Sequence, residues 1–268
     1  IRAAEFLDPQ RLVVVVGHDR EQIEQHLDDI APQVTIAVQE QQNGTGDAVR
    51  CGLDQLVGID GEIVVTYGDV PLLTGETLAQ LVEVHRANSD AVTVLSTVLE
   101  NPTGYGRIVR DPDGGQVAAI VEQKDATAAQ AAITEINAGI YVFDAQVLSA
   151  GLADLSSDND QGELYLTDVV GFARGLGRRV GASVLADSVQ AEGVNDRIQL
   201  AALSAELNRR ILRRWMAEGV TFIDPTQAWI GPDATIGRDT VVWPQTHLIG
   251  HVTVGEECQL GPNSRLTD

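Results

Sequence analysis

The sequence predicts an α/β fold: a Rossmann-like domain on a mostly parallel sheet, followed by the start of a left-handed parallel β-helix. Three patterns carry this expectation. Up to Val98, short β-branched runs alternate with helical spacings, which builds βαβ units with right-handed crossovers. After that point, strand-like runs succeed one another through a tight turn, the pattern of antiparallel pairing. From Ile230 onward, aliphatic residues return at every sixth position, and that period forms the flat sides of a triangular parallel β-helix.

The first strand is read over residues 12–16, an apolar run that stops at Gly17. A helix over 20–30, a strand over 34–38, a helix over 47–57 and a strand over 62–67 come after it. That last strand is expected to be buried and parallel. It runs into Gly68, Asp69 and Pro71, and Pro71 has no N–H with which to continue a ladder. A helix over 77–87 and a strand over 91–98 complete the alternation. Residues 104–110 and 117–122 read as a hairpin around Asp111-Pro112-Asp113-Gly114-Gly115. A strand over 136–143 and a helix over 167–176, starting at a Thr167 cap, come next. The longest helix is read over 197–216, where Leu203, Leu207, Ile211, Leu212 and Trp215 form an apolar stripe. It is suited either to pack across the sheet domain or to link that domain to the next segment of the chain. The domain boundaries fall accordingly: 1–196 for the sheet domain, 197–229 for the linking helix and a strand, and 230–268 for the β-helix.

In the repeat, Ile230, Ile236, Val242, Leu248, Val254, Leu260 and Leu266 hold the spacing of six. A compact residue stands four positions after each of the first six: Ala234, Thr240, Thr246, Val252, Cys258 and Ser264. Three sides close one coil, so this segment makes about two coils with an open lower end. The chain is therefore expected to be cut at Asp268. It is expected to be cut at its start too, since it opens in a helix-like stretch where a doubly wound sheet opens on a strand and a glycine-rich loop.

Composition narrows the function. With 268 residues and 44% hydrophobic content, the chain is large enough for a substantial core plus an appendage. No apolar run approaches the roughly 20 residues needed to span a membrane. Cys51 and Cys258 stand far apart without a metal-ligand pattern, so neither a disulfide framework nor structural zinc is expected, and a cytoplasmic protein is the default. The net charge of −21 argues against nucleic acid and anionic membranes as partners. An anionic substrate would need a cation, backbone amides or a few placed arginines to offset that field.

Several residues have the chemistry for a site, each beside a plainer use. Asp69, at the carboxyl end of a strand, either begins a turn or holds a divalent cation. Gly44 and Gly46 allow close backbone approach, and the planar amide of Gln39 can read the edge of a nucleobase, although an ordinary loop fits as well. Asn195 either caps the long helix or offers an oxygen to a metal. Glu122 and Asn137, a carboxylate and an amide, suit the hydroxyls and amide of a sugar. Residues 161–168 form a polar approach to a helix. His18, His26, His85, His247 and His251 make no triad or ligand spacing and read as surface or structural.

Taken in chain order, EQQNGTGDA, YGDVPLL, PTGYGRIVR, IVEQKDA, EINAGIYVF, QGELYLTDVV and GVNDRIQLA, succeeded by the six-residue repeat, resemble the sugar-nucleotide pyrophosphorylases. The resemblance covers essentially the whole chain. It is closest to the branch that joins N-acetylglucosamine-1-phosphate uridyltransferase with glucosamine-1-phosphate N-acetyltransferase. It implies a nucleotidyltransferase domain that transfers UMP from UTP to N-acetylglucosamine 1-phosphate, a step in cell-wall precursor synthesis. By residue, it implies Asp69 and Asn195 on Mg²⁺, and Gln39, Gly44 and Thr45 on uracil. Tyr67, Gly68, Gly106, Glu122, Asn137, Tyr165 and Thr167 fall at sugar-phosphate positions. It further implies acetyl-CoA as a substrate of the complete protein and a homotrimer assembled through the β-helix.

The family's Gly-rich loop, with an Arg and a following Lys around the triphosphate, has no counterpart here, and Lys124 lies in a different motif. The catalytic basic residues are therefore not assigned, and weak or absent turnover is expected of these residues alone. The competing readings are a nucleotidyltransferase for glucose 1-phosphate and a catalytically silent trimeric scaffold.

Overall fold

A computed structural model describes residues 1–17, 20–56, 58–159 and 161–268. The chain divides into two compact units, Ile1–Glu192 and Gly193–Asp268.

In the first unit the alternation is realised as α1 Arg2–Glu5, β1 Val13–Val16, α2 Arg20–Ile30, β2 Thr35–Val38, α3 Thr45–Leu53, β3 Glu62–Val65, α4 Gly75–Asn88 and β4 Val92–Val98. The helix expected over 47–57 starts two residues earlier and ends at Leu53; Val57 lies outside the described residues, as does His18. At the start of α4 the Thr74 hydroxyl accepts from the Thr77 amide, and Ser89 ends the helix in the left-handed conformation. The expected hairpin is β5 Arg107–Arg110 with β6 Val117–Val121, its turn closed by the Gly114 N–H on the Asp111 carbonyl at 2.7 Å. Then come α5 Ala128–Ala131, β7 Glu135–Asp144, α6 Ala145–Asp154, α7 Asp168–Gly175 and β8 Val180–Leu185.

β1 pairs with β2 in parallel, and β4 with β8. β3 and β4 also run in one sense, because each is antiparallel to β7. The departure from a simple parallel order is β7, which inserts between them. β3 is therefore only partly buried, with an antiparallel neighbour. One edge of β7 pairs along β4, while the other is shared between β5 at Ile136 and β3 at residues 141–144. Side chains alternate across this strand. Tyr141 and Phe143 enter a core with Leu148, Leu152, Val169 and Val170 from α6 and α7, whereas Ile140 and Val142 enter another with Leu78 and Leu81 of α4. The strand tips where loops gather are thus held by a core on each face.

The second unit starts with α8 Arg197–Ala217. Its N-cap is Asp196, which forms a capping box with Gln199, so the cap sits one residue beyond Asn195. Ile211, Leu212 and Trp215 of α8 share a core with Ala228, Ile230, Ile236, Val242, Leu248 and Val254. Asn208 fixes the helix to the repeat: its amide donates to the Ala228 carbonyl at 2.8 Å and accepts from the Ile230 N–H at 2.9 Å.

The repeat folds as β9 Thr221–Phe222, β10 Ala228–Ile230, β11 Thr235–Ile236, β12 Val241–Val242, β13 Thr246–Ile249, β14 Thr253–Val254, β15 Gln259–Leu260 and β16 Arg265–Thr267. These pair in parallel as three stacks, β10-β13-β16, β11-β14 and β9-β12-β15. Ile230 lies over Leu248 and Leu266, one full coil apart at each step. The stack begins before Ile230, because Phe222 pairs with Val242. Buried Thr240 and Thr246 are tolerated because their hydroxyls donate to the Gly255 and Trp243 carbonyls.

Candidate active site

Four segments of the first unit converge on the Glu122 carboxylate. Gly106 precedes β5, and a Cβ there would lie 3.4 Å from both Glu122 oxygens, so glycine keeps the space beside the carboxylate open. The Gly106 carbonyl accepts from the Asn137 N–H at 2.9 Å. Asn137 itself is locked: its amide donates to the Tyr141 hydroxyl at 2.7 Å and accepts from the Gly139 N–H at 2.9 Å. Gly139 has φ +74°, and a side chain there would overlap the Tyr67 ring, which lies directly against it. Gly68 and Asp69 come next, in an exposed turn.

The electrostatics are acidic. Burial pushes the Glu122 carboxyl above its ordinary range, and Asp125 and Asp168 push it further; the Thr167 hydroxyl opposes them. Thr167 therefore serves Glu122, whereas the expected side-chain cap of α7 is not made. Asp168 is raised by burial and by Asp125. The Tyr67 phenol is pushed up to about 12, by burial first and then by the Glu122 and Asp69 carboxylates. Tyr165, whose hydroxyl accepts from the Gln161 amide at 2.7 Å, is raised by burial. Lys124 donates to the same Gln161 at 3.0 Å, which makes the chain's single lysine part of this wall.

The Gly44 loop is fastened to the same wall. Gly44 has φ +104°, and a Cβ there would lie 2.6 Å from the Leu164 carbonyl. The Leu164 N–H donates to the Asn43 carbonyl and its own carbonyl accepts from the Gly46 N–H, both at 2.8 Å. The Thr45 hydroxyl accepts from the Leu166 N–H at 3.2 Å. Gln39 is buried, donating to the Gly44 carbonyl and to Asp47. Residues 164–167 thus give their backbone to the Gly44 loop and the Tyr165 and Thr167 side chains to the Glu122 pocket.

Some supporting residues carry no motif signal of their own. Asp47 and Tyr141 orient Gln39 and Asn137 through side-chain hydrogen bonds that only the fold brings within reach. Arg107 is 2% exposed and binds the Tyr105 carbonyl, the Gln123 amide oxygen at 2.6 Å and the Ala131 carbonyl, so a buried guanidinium shapes the loop ahead of Gly106. The first arginine in PTGYGRIVR is a visible hint of this, since a cation carried into a buried strand needs internal acceptors.

Asp69 is exposed, and its carboxylate takes no hydrogen bond or ion pair among the described residues. In the second unit Asn195 is exposed too; its backbone N–H is bound by the Gln199 amide oxygen at 2.6 Å, which leaves its side chain out of the cap. Among the described residues no group of three or more His, Cys, Asp or Glu forms a metal cage. A cation held mainly by phosphates and water needs only one or two protein oxygens, and the exposed Asp69 carboxylate of the first unit is that kind of donor.

This fold, with a glycine loop tied to a carboxylate-and-amide pocket, defines a class: the chain belongs to the nucleotidyl transferase family, whose description it matches over residues 4–187. Residues 228–268 match the bacterial transferase hexapeptide, six-repeat family. Over its full length the chain is 55% identical to the bifunctional protein GlmU of Cutibacterium acnes, covering 65% of that protein. It is 51% identical to the bifunctional protein GlmU of Corynebacterium efficiens and 52% to that of Streptomyces avermitilis, covering 56% of each. The chain thus spans between half and two thirds of the length of these curated relatives. No helix among the described residues is long and apolar enough to cross a membrane.

Proposed function

We propose that this chain contributes the base and sugar-phosphate sites of a Mg²⁺-dependent uridylyl transfer, from UTP to N-acetylglucosamine 1-phosphate, giving UDP-N-acetylglucosamine and pyrophosphate, with weak or absent turnover by these residues alone. One observation supports it above the others. The residues at sugar positions surround one carboxylate, Glu122, and their wall is hydrogen-bonded to the loop that carries Gln39, Gly44 and Thr45. In this reading Glu122 accepts from sugar hydroxyls, the locked Asn137 amide meets the acetamide, and Gly106 leaves room for the ring. Tyr67, Gly68, Tyr165 and Thr167 complete the pocket, and Gln39 meets uracil.

The reaction forms a bond from a sugar-phosphate oxygen to the α-phosphorus of UTP as the bond to the bridging oxygen breaks, and pyrophosphate leaves with that electron pair. The protein's task is to hold both substrates in line. Asp69 and Asn195 are the residues assigned to Mg²⁺, which when bound would neutralise phosphate charge that a chain of net charge −21 otherwise repels. For the longer protein the reading extends to acetyl transfer from acetyl-CoA to glucosamine 1-phosphate, a homotrimer joined through the β-helix, and a cytoplasmic role in cell-wall precursor synthesis.

Calorimetry on the purified chain with Mg²⁺ tests the proposal. UTP is expected to bind, and N-acetylglucosamine 1-phosphate to bind more tightly than glucose 1-phosphate. Absence of UTP binding overturns the uridylyl transfer, and a preference for glucose 1-phosphate overturns the acceptor.

A further inference from the structure

The Gln39 amide, 9% exposed, has only one orientation that satisfies its neighbours. Nε2 donates one hydrogen to the Gly44 carbonyl at 3.1 Å and the other to Asp47 Oδ2 at 2.9 Å. A backbone carbonyl and a carboxylate are acceptors only, so turning the amide over would set oxygen against oxygen at both contacts. The remaining atom, Oε1, takes no hydrogen bond among the described residues. It is not sealed off either, since the one fully buried, unpaired side-chain polar atom among them is Trp215 Nε1. Asp47 is 5% exposed and divides its oxygens, Oδ2 to Gln39 and Oδ1 to the Arg50 guanidinium.

We infer that Asp47 is a positioning residue that sets base specificity: it holds the Gln39 amide oxygen outward, so the site takes a base edge that presents an N–H and rejects one that presents a lone pair. The inference rests on the assignment of Gln39 to the base. Uracil and thymine carry an imide N3–H, whereas cytosine has a lone pair at that position. The arrangement therefore separates uridine and thymidine nucleotides from cytidine nucleotides, and leaves uracil against thymine to other contacts.

A carboxylate is what this device needs. Asparagine has a single oxygen, and the charge-assisted bond to Arg50 is the stronger claim on it. In Asp47→Asn the amide nitrogen then faces Gln39, and neither setting of the Gln39 amide satisfies both neighbours: as it stands its nitrogen opposes the new amide nitrogen, and turned over its oxygen opposes the Gly44 carbonyl, so the outward oxygen is no longer fixed. Removing the competing cation as well, in Asp47→Asn with Arg50→Ala, returns the single oxygen to Gln39.

The test is calorimetric titration of the chain and both variants with Mg²⁺-UTP and Mg²⁺-CTP, with folding checked by circular dichroism. The wild-type chain is expected to prefer UTP. Asp47→Asn is expected to cut the UTP-to-CTP affinity ratio by about tenfold, and the double variant to regain most of it. A purely structural role for Asp47 would weaken both nucleotides alike and give no rescue. An unchanged ratio in folded Asp47→Asn overturns the inference. If that variant fails to fold, the double variant decides, since loss of the UTP preference there overturns it equally. A wild-type chain that binds neither nucleotide fails at the base-site assignment instead, and is distinguished by that result.

Discussion

Removing the Asn208 side chain should loosen the second unit and leave the first untouched. In Asn208→Ala two backbone groups of β10 lose their partners, the Ala228 carbonyl and the Ile230 N–H, both in buried residues. Each buried group left unpaired costs about 1–3 kcal/mol, so the pair should cost about 3 kcal/mol once partial hydration is allowed for. The chain supplies its own probes. Trp215, Trp229 and Trp243 all lie in Gly193–Asp268, while Tyr67, Tyr105, Tyr141 and Tyr165 all lie in Ile1–Glu192. Urea unfolding monitored by tryptophan emission should show its midpoint fall by about 2 M. The tyrosine signal of the first unit, read by proton NMR, should keep its midpoint. A loss below about 0.5 kcal/mol in the tryptophan transition would refute the role given to these two bonds.

Gly44→Ala places a Cβ against the Leu164 carbonyl at a positive φ, and UTP affinity, read by calorimetry, is expected to drop by at least about tenfold. Glu122→Gln should weaken N-acetylglucosamine 1-phosphate binding and change the pH dependence of stability. Because the Glu122 carboxyl is raised in the fold, its contribution is present below the ordinary glutamate range and lost as pH rises through the raised value. The variant should therefore show a shallower fall in urea midpoint across that window, and an unchanged slope would contradict the shift. His85 behaves in the opposite sense. Burial holds its imidazole below the usual value, so its contribution is present above about pH 6.5 and lost as pH falls toward the lowered one. Unfolding midpoints at about pH 7.5 and about pH 5.5 should converge in His85→Gln relative to the parent.

Much of this was legible in the chain. The spacing of six needs no context, because each coil repeats one local rule, and the hairpin is announced by its Asp-Pro-Asp-Gly-Gly turn. Other features hide for physical reasons. Strand β8 reads Val-Gly-Ala-Ser-Val-Leu, too poor in β-branched residues to announce a strand, yet glycine is needed at Gly181 because a side chain would overlap buried Asp90. Helix α6 is broken in appearance by Gly151, which lets Val169 approach closely, at 2.9 Å from where a Cβ would stand. The place of β7 between β3 and β4 is a long-range pairing that no local pattern encodes. At the site, Asp69, Glu122 and Asn137 stand out as polar residues at strand ends. Asp47 and Tyr141 do not, since each acts only by orienting another side chain, eight and four residues away, and no spacing rule marks such a pair. The cap of α8 shows the limit of adjacent choices: Asn195 and Asp196 are both good caps, and Gln199 at the third helical position decides for Asp196.

Under the proposed function, the strut at residues 164–167 has a consequence for how the two substrates would sense each other. Its backbone anchors the Gly44 loop, and its Tyr165 and Thr167 side chains stand in the Glu122 pocket. A ligand that tightens the strut from either side alters the free energy of binding on the other, and by linkage the effect is reciprocal. Donor and acceptor affinities then form a thermodynamic cycle with one shared coupling constant, and the first substrate to arrive sets the terms on which the second is received.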